Sequence, residues 1–251
     1  MYRQSILAIL ALALAPGGLA PSATAAAPSS RQVPSPPAVL ELAPAGTVVF
    51  DDDGGRVQII PRRPQPAAAG GGEVSYHGGP VVSGGDIRAI FLGSGWRSEM
   101  NRARESRALE VLAGRGQEEA MASLARFGLV GQELHALAQE DFLDPLAGGR
   151  ISDLEIQARL DSLAAVEAGG AAGAGAETPV YVVFLAPGIE SALGSSTSAK
   201  DFAAYHNHFH SAAGVVRYVV VPFEAQVSRW LASARQSLVQ TLINPEGTAW
   251  Y

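Results

Sequence analysis

Val180-Tyr-Val-Val-Phe-Leu185 is the stretch that decides the fold, because it is short, apolar and closed by Ala186-Pro187-Gly188. Runs of this length, rich in β-branched and aromatic side chains, predict strands that are covered on both faces. Two further runs share these properties: Ile87-Arg-Ala-Ile-Phe-Leu92 and Val215-Val-Arg-Tyr-Val-Val-Val221. Together the three runs predict a small, mostly buried sheet.

Helical patterns lie between the first two strands. Ser152 and Glu155 have the spacing of a capping box, which predicts that a helix starts there. The stripe of this helix continues through Ile156, Leu160, Leu163 and Glu167. Residues 99–112 and 118–126 also have helical patterns. Strands that alternate with helices predict an α/β fold, a layered single domain with its sheet flanked by helices.

Residues 1–26 have the pattern of a secretory signal peptide. Arg3 precedes the apolar run from Ile6 to Ala15, and the small residues from Ser22 to Ala27 supply a cleavage site. This run is shorter than the roughly 18 apolar residues that a membrane-spanning helix needs, and no second run approaches that length. We therefore expect a secreted protein, periplasmic or extracellular, with no transmembrane segment after signal removal.

Residues 27–72 form a Pro/Ala/Gly-rich segment, a composition that predicts a flexible tether. Within it, Thr47-Val-Val-Phe50 and Arg56-Val-Gln-Ile-Ile60 predict one small hairpin across residues 51–55. The folded α/β domain is expected to comprise residues 73–251, a length typical of one domain.

Overall composition excludes several functional classes. The chain contains no cysteine, which excludes disulfides and thiolate zinc sites. Its formal net charge is −6 and Lys200 is its single lysine, so we expect no nucleic-acid partner.

The C-terminal segment contains polar residues at the spacing of metal ligands. In a zinc helix, ligands at i and i+4 lie on one face and a glutamate at i+1 polarises water. Here these positions are Gln236, Gln240 and Ser237, which supply neither imidazole nor carboxylate. The alternative is an ordinary helix with both glutamines on its solvated face. Its apolar face would then consist of Trp230, Leu231, Leu238 and Leu242.

His206, His208 and His210 are a second candidate metal site. In an extended strand these alternate residues share one face, so their imidazoles can converge on one zinc ion. Residues 201–205 favour a helix end or loop over a strand, which argues against the triad. The alternative is an exposed or hydrogen-bonded histidine cluster.

Tyr76 and His77 are candidate binding residues. The following Gly78-Gly79-Pro80 favours a turn, in which His77 would have a structural role.

Several segments, taken in order, resemble the phosphate-induced/Exordium-like family of secreted proteins, in particular its bacterial branch. They are Tyr76-His-Gly-Gly-Pro-Val81, Phe91-Leu-Gly-Ser-Gly-Trp96, the helix start at residues 151–160, Tyr181-Val-Val-Phe-Leu-Ala-Pro-Gly188, Ala204-Tyr-His-Asn-His-Phe209 and Asn244-Pro-Glu-Gly-Thr-Ala-Trp-Tyr251. The resemblance spans most of the domain. It implies a cell-wall or extracellular role for plant relatives and supplies no defined biochemical activity.

The resemblance also implies a degenerate metal site. Bacterial relatives carry a His-Glu-Leu-x-Glu pattern followed by Thr-Asp-Pro, which aligns with Gln236, Ser237, Gln240 and Asn244 in this sequence. Every one of these positions departs from the pattern, and a metallohydrolase-like (zincin-like) layering is the fold that the original pattern would imply. The family pattern continues beyond the position where this sequence ends, at Tyr251. The resemblance therefore raises the alternative that the chain is naturally truncated there.

Three functional hypotheses follow. The first is a secreted, non-catalytic binding or interaction protein on a scaffold derived from a metalloenzyme, with no cofactor and an unknown cell-envelope or extracellular partner. The second is a secreted metal-dependent hydrolase that uses zinc at His206, His208 and His210. The third is a structural protein of the cell envelope, spaced from the surface by residues 27–72.

Overall fold

The computed structural model describes residues 47–50, 56–62, 76–82, 85–113, 134–142, 149–169 and 179–249. The predicted signal peptide, the helix at residues 118–126, most of the Pro/Ala/Gly-rich segment and Tyr251 lie outside these ranges.

Ten strands form two sheets in the described residues. The main sheet has seven strands in the order β1-β2-β9-β10-β6-β3-β4, and the small sheet has three in the order β5-β7-β8. The strands are Thr47–Phe50 (β1), Arg56–Pro61 (β2), Gly85–Leu92 (β3), Leu134–Phe142 (β4), Arg150–Ser152 (β5), Val180–Leu185 (β6), Glu190–Leu193 (β7), Ser196–Thr197 (β8), Phe202–Ser211 (β9) and Gly214–Val221 (β10). The three strands predicted from the sequence are β3, β6 and β10, and they are neighbours at the centre of the main sheet.

Strand direction divides the main sheet into two parts. β10, β6, β3 and β4 run parallel to one another. β9 pairs antiparallel with β10 on one side and with β2 on the other. The parallel part explains why every side chain of Val180–Leu185 is buried, since helices cover both faces of such strands.

Helices cover both faces of the sheet, which confirms the predicted α/β layering. They are Glu99–Ala113 (α1), Asp153–Gly169 (α2) and Val227–Ile243 (α3). One core lies under α1 and α3 and contains Val182, Phe184 and Trp230. The other lies under α2 and contains Tyr181 and Val183. The alternation of these β6 residues between two cores is the period of a strand buried on both faces.

The predicted capping box forms at the start of α2. The Ser152 hydroxyl accepts from the Glu155 N–H at 3.3 Å, and the Glu155 carboxylate accepts from the Ser152 N–H at 2.8 Å. Behind this cap, Ile156, Leu160 and Leu163 are buried against the sheet, as the stripe predicts.

The predicted hairpin is part of the main sheet. β1 pairs antiparallel with β2, and β2 continues the sheet by pairing with β9. The sheet therefore includes two strands from the segment that the sequence assigned to a flexible tether. Val57 and Ile59 of β2 are buried in the core under α2, which gives these strands an apolar face to cover.

In the described ranges, none of the helices combines the length and apolar character needed to cross a membrane.

Candidate functional site

α3 lies over β9 and β10 with its apolar face inward. Trp230, Leu238 and Leu242 are buried in the core, and Leu231 packs against it, as the sequence predicts. The polar residues of α3 therefore lie at the margin of this interface or within it.

Ser237 lies within the interface between α3 and the sheet. It is fully buried, and its hydroxyl has no hydrogen-bond partner among the described residues. Gln236 and Gln240 are half-buried, and the Gln240 Oε1 atom is buried without a partner there. The three polar residues are thus neighbours on the helix surface, and Ser237 among them faces packed protein.

His206 occupies the sheet face beneath α3. In the ladder it lies beside Gln58 of β2 and Val219 of β10. The His206 ring forms a hydrogen bond with the backbone of Asn244. Its Nδ1 atom has no partner among the described residues, so Nε2 is the atom that donates this bond. Burial lowers the pKa of His206 to about 4, despite the opposing effect of the Asn244 backbone. The imidazole is therefore neutral at pH 7.

Phe202–Ser211 forms one continuous strand, so the predicted helix end or loop at residues 201–205 is wrong. Pairing with β2 and β10 on both sides favours the extended form over the local preference. His206, His208 and His210 consequently share one face of β9. The ring centroids of His208 and His210 are 6.2 Å apart.

The environment of the three histidines changes along the strand, because His206 is buried, His208 half-buried and His210 exposed. Burial lowers the pKa of His208, and the carboxylate of Glu246 opposes that effect. Glu246 also lies 3.4 Å from the Arg217 guanidinium of the adjacent strand. Within the described ranges, no group of three or more His, Cys, Asp or Glu side chains is placed to hold a metal ion.

The segment with Tyr76 and His77 contacts the loop that follows α3. The His77 N–H donates to the Ala249 carbonyl at 2.8 Å, and the Val82 N–H donates to the Leu242 carbonyl at 2.8 Å. Asn244 fixes the same loop, because its Oδ1 atom accepts from the Ala249 N–H at 2.7 Å. The structure therefore places Tyr76 and His77 beside the Asn244 loop, and Asn244 in turn contacts His206.

Tyr76 and His77 are exposed, and the segment bends at Gly78. The Tyr76 hydroxyl donates to the Gly79 carbonyl at 2.8 Å. Gly79 lies so close to the Asn244 loop that a Cβ atom there would overlap the backbone of Thr248 and Ala249. Glycine is therefore required for close approach at this position.

Gly79→Ala is expected to lower the free energy of unfolding by about 2 kcal/mol, within the usual cost of overpacking. Amide hydrogen exchange should also quicken at His77 and Val82, whose hydrogen bonds span this contact. Gly78→Ala is the matched control, since a Cβ there meets no atom within 4 Å and carries only the strain of φ +84°. Unchanged exchange in Gly79→Ala would contradict the close contact.

A buried carboxylate lies on the opposite face of the sheet, beneath α2. Asp153, the first residue of α2, is fully buried and accepts four side-chain hydrogen bonds. The donors are the hydroxyls of Tyr205 at 2.7 Å and Tyr218 at 2.8 Å, the amide of Asn207 at 3.0 Å and the amide of Gln157 at 2.8 Å.

Burial raises the pKa of Asp153, and the four hydrogen bonds act in the opposite direction. Burial also raises the pKa of Tyr205 and of Tyr218, and the nearby carboxyl adds to both shifts. Both phenols therefore stay protonated and act as donors. Because the described partners of Asp153 lie on β9, β10 and α2 itself, this cluster fixes the start of α2 on the sheet.

No pattern in the sequence predicted this network, although Asp153 lies between the two residues of the capping box. The signal that could have indicated it is the pair of aromatic hydroxyls on β9 and β10, because buried tyrosines usually need a partner.

No family model matches the chain, and no curated protein or solved structure matches it.

Proposed function

We propose that this chain is a secreted, non-catalytic binding or interaction protein whose helix α3 carries neutral residues where a metalloenzyme carries ligands. The observation that carries this proposal is Ser237. It occupies the position of the water-polarising glutamate in the family pattern, and it is fully buried against the sheet. A carboxylate at such a position would be costly without a compensating metal.

The surroundings of Ser237 support the same proposal. His206 is held neutral by burial and donates to backbone, so it is engaged in packing α3. Asp153, the fully buried carboxylate among the described residues, lies on the other face of the sheet with four donors around it. These contacts account for both groups as parts of the packed fold, which supports the non-catalytic proposal.

One observation favours the second candidate, a zinc-dependent hydrolase. His206, His208 and His210 share a face of β9, which is the extended arrangement that the triad requires. The two hypotheses predict different zinc contents, because only the hydrolase has a site whose ligands bind the ion in the folded protein.

Metal analysis of the purified protein tests the proposal. We expect substoichiometric zinc, unchanged in His206→Ala and in His208→Ala, because the three imidazoles lie in different environments along one strand. His77→Ala serves as the control, because His77 is an exposed histidine outside the triad. Stoichiometric zinc that is lost in the first two variants would refute the non-catalytic function and establish the histidine site.

A further inference from the structure

A cleft opens at the start of α3, away from the histidines. It has a volume of about 80 Å³ and is lined by Pro61, Arg62, Ala203, Glu224, Arg229, Trp230 and Ser233. This is roughly half the ~150 Å³ that accommodates benzene in an engineered protein cavity, so the cleft admits a group of a few heavy atoms. The end of β2, the start of β9 and the first turns of α3 meet here.

The charges on the cleft walls do not cancel. Arg62 pairs with the Glu224 carboxylate at 2.9 Å and also donates to the Ser198 carbonyl, so it is held in place and neutralised. Arg229 is exposed and makes no side-chain hydrogen bond or ion pair with the described residues. Two guanidinium groups against one carboxylate leave the cleft with one net positive charge.

A third arginine makes this wall rigid. Arg104 donates to the carbonyl of Glu224 at 2.9 Å and to that of Ala225 at 2.8 Å. Its guanidinium also lies 4.7 Å from the centre of the Phe223 ring. The loop that presents Glu224 is therefore fixed, and a further cation lies close behind it.

The cleft lies at the N-terminal end of α3. This helix has no acidic residue in its first turn, but the Glu224 carboxylate accepts from the N–H of the N-cap residue Gln226 at 3.5 Å, so the helix dipole is already partly compensated there. Trp230 lines the cleft, and its Nε1 donor is buried without a partner among the described residues. That atom is closed off from solvent in the core, so Trp230 lies beside the cleft without offering a hydrogen bond to its contents.

We propose that this cleft binds a small organic monocarboxylate, an inference that rests on the proposed binding function. A single negative charge matches the one net positive charge of the walls. A guanidinium binds a planar carboxylate through two parallel hydrogen bonds, and Arg229 is available for that contact. The half-buried side chains of Pro61 and Ala203 provide apolar surface for a short hydrocarbon body.

Titration of the purified full chain with sodium propionate, at constant ionic strength, tests the site. Binding is followed through the indole N–H resonance of Trp230 in a ¹H–¹⁵N spectrum and through tryptophan fluorescence. We expect a saturable shift of that resonance, with affinity at least tenfold weaker in Arg229→Gln and in Arg62→Gln. Arg150→Gln is the matched control, because Arg150 pairs with Glu190 at 2.9 Å on the small sheet; its affinity should be unchanged.

The outcomes separate this inference from the proposed function. Saturable binding of inorganic phosphate without propionate would overturn the carboxylate assignment, and no saturable binding of either would overturn the site itself. Equal weakening in Arg150→Gln would also overturn it, since it would show a general charge effect. None of these results alters the zinc content, which alone decides between the binding protein and the hydrolase.

Discussion

Asp153→Ala is expected to lower the free energy of unfolding by about 3–5 kcal/mol, the cost of disrupting a buried hydrogen-bond network. The substitution leaves four donors without their acceptor in the core under α2. They are the hydroxyls of Tyr205 and Tyr218 and the side-chain amides of Asn207 and Gln157. Each buried donor without an acceptor costs about 1–3 kcal/mol, partly recovered when side chains re-pair or water enters.

Urea unfolding at pH 7 measures this effect. Asp161→Ala is the matched control, because Asp161 lies on the same helix with an exposed side chain, and its removal is expected to stay within about 0.5 kcal/mol. Asp153→Asn should lie between the two variants, since asparagine keeps the size but offers one acceptor oxygen where aspartate offers two. Equal stability of Asp153→Ala and Asp161→Ala would show that the network contributes nothing to the fold.

The network explains why α2 begins where it does. Asp153 is the first helical residue, where a negative charge is favoured by the helix dipole. Its carboxylate contacts β9 through Tyr205 and Asn207 and β10 through Tyr218, so one side chain joins the helix start to two strands. The capping box beside it satisfies the backbone of the same turn from the solvent side.

Local signals in the sequence predicted most of the fold. Val180–Leu185 and its two companions are the central strands, and the Ser152 capping box marks the start of α2 within one residue. These predictions succeeded because β-branched runs and capping residues act over a few positions. The sheet order and the place of the hairpin in it depend on pairing between distant strands, which no short pattern encodes.

The incorrect and the missed predictions also arise from interactions between residues that are distant in the sequence. Residues 201–205 have a weak local preference, and the strand is imposed by neighbours on both sides. Asp153 and Tyr218 are 65 positions apart, so nothing in the sequence near Asp153 indicates its partners. At the candidate site, the sequence identified the polar residues of α3 and the three histidines, but their burial depends on how α3 packs over β9.

His206 should make the protein less stable at acid pH by about 3 kcal/mol. Its pKa falls from 6.5 in the unfolded chain to about 4 in the folded protein, and each unit corresponds to about 1.4 kcal/mol. Below pH 6.5 the unfolded state takes up the proton first. Stability is therefore full above pH 6.5, is lost as the pH falls towards 4, and changes no further through this group below that.

Because carboxyl groups titrate in the same range, the measurement compares wild type with His206→Gln. The free energy of unfolding is determined from urea curves between pH 4 and pH 7. We expect the difference between the two proteins to shift by about 3 kcal/mol against wild type across this range. Val216→Ala is the control, because it alters a buried side chain without a titrating group in the core under α2, so its difference from wild type should stay constant with pH.

The result also reports how tightly α3 covers the sheet. A protonated His206 would place a charge beneath the helix, near Asn244 at its C-terminal end, and the cost of that charge depends on exclusion of water. A difference that does not vary with pH would mean that water reaches the ring, and α3 would then open readily over β9. A shift of the expected size would show a closed interface, in which Ser237 and Gln240 are packing groups of a neutral helix.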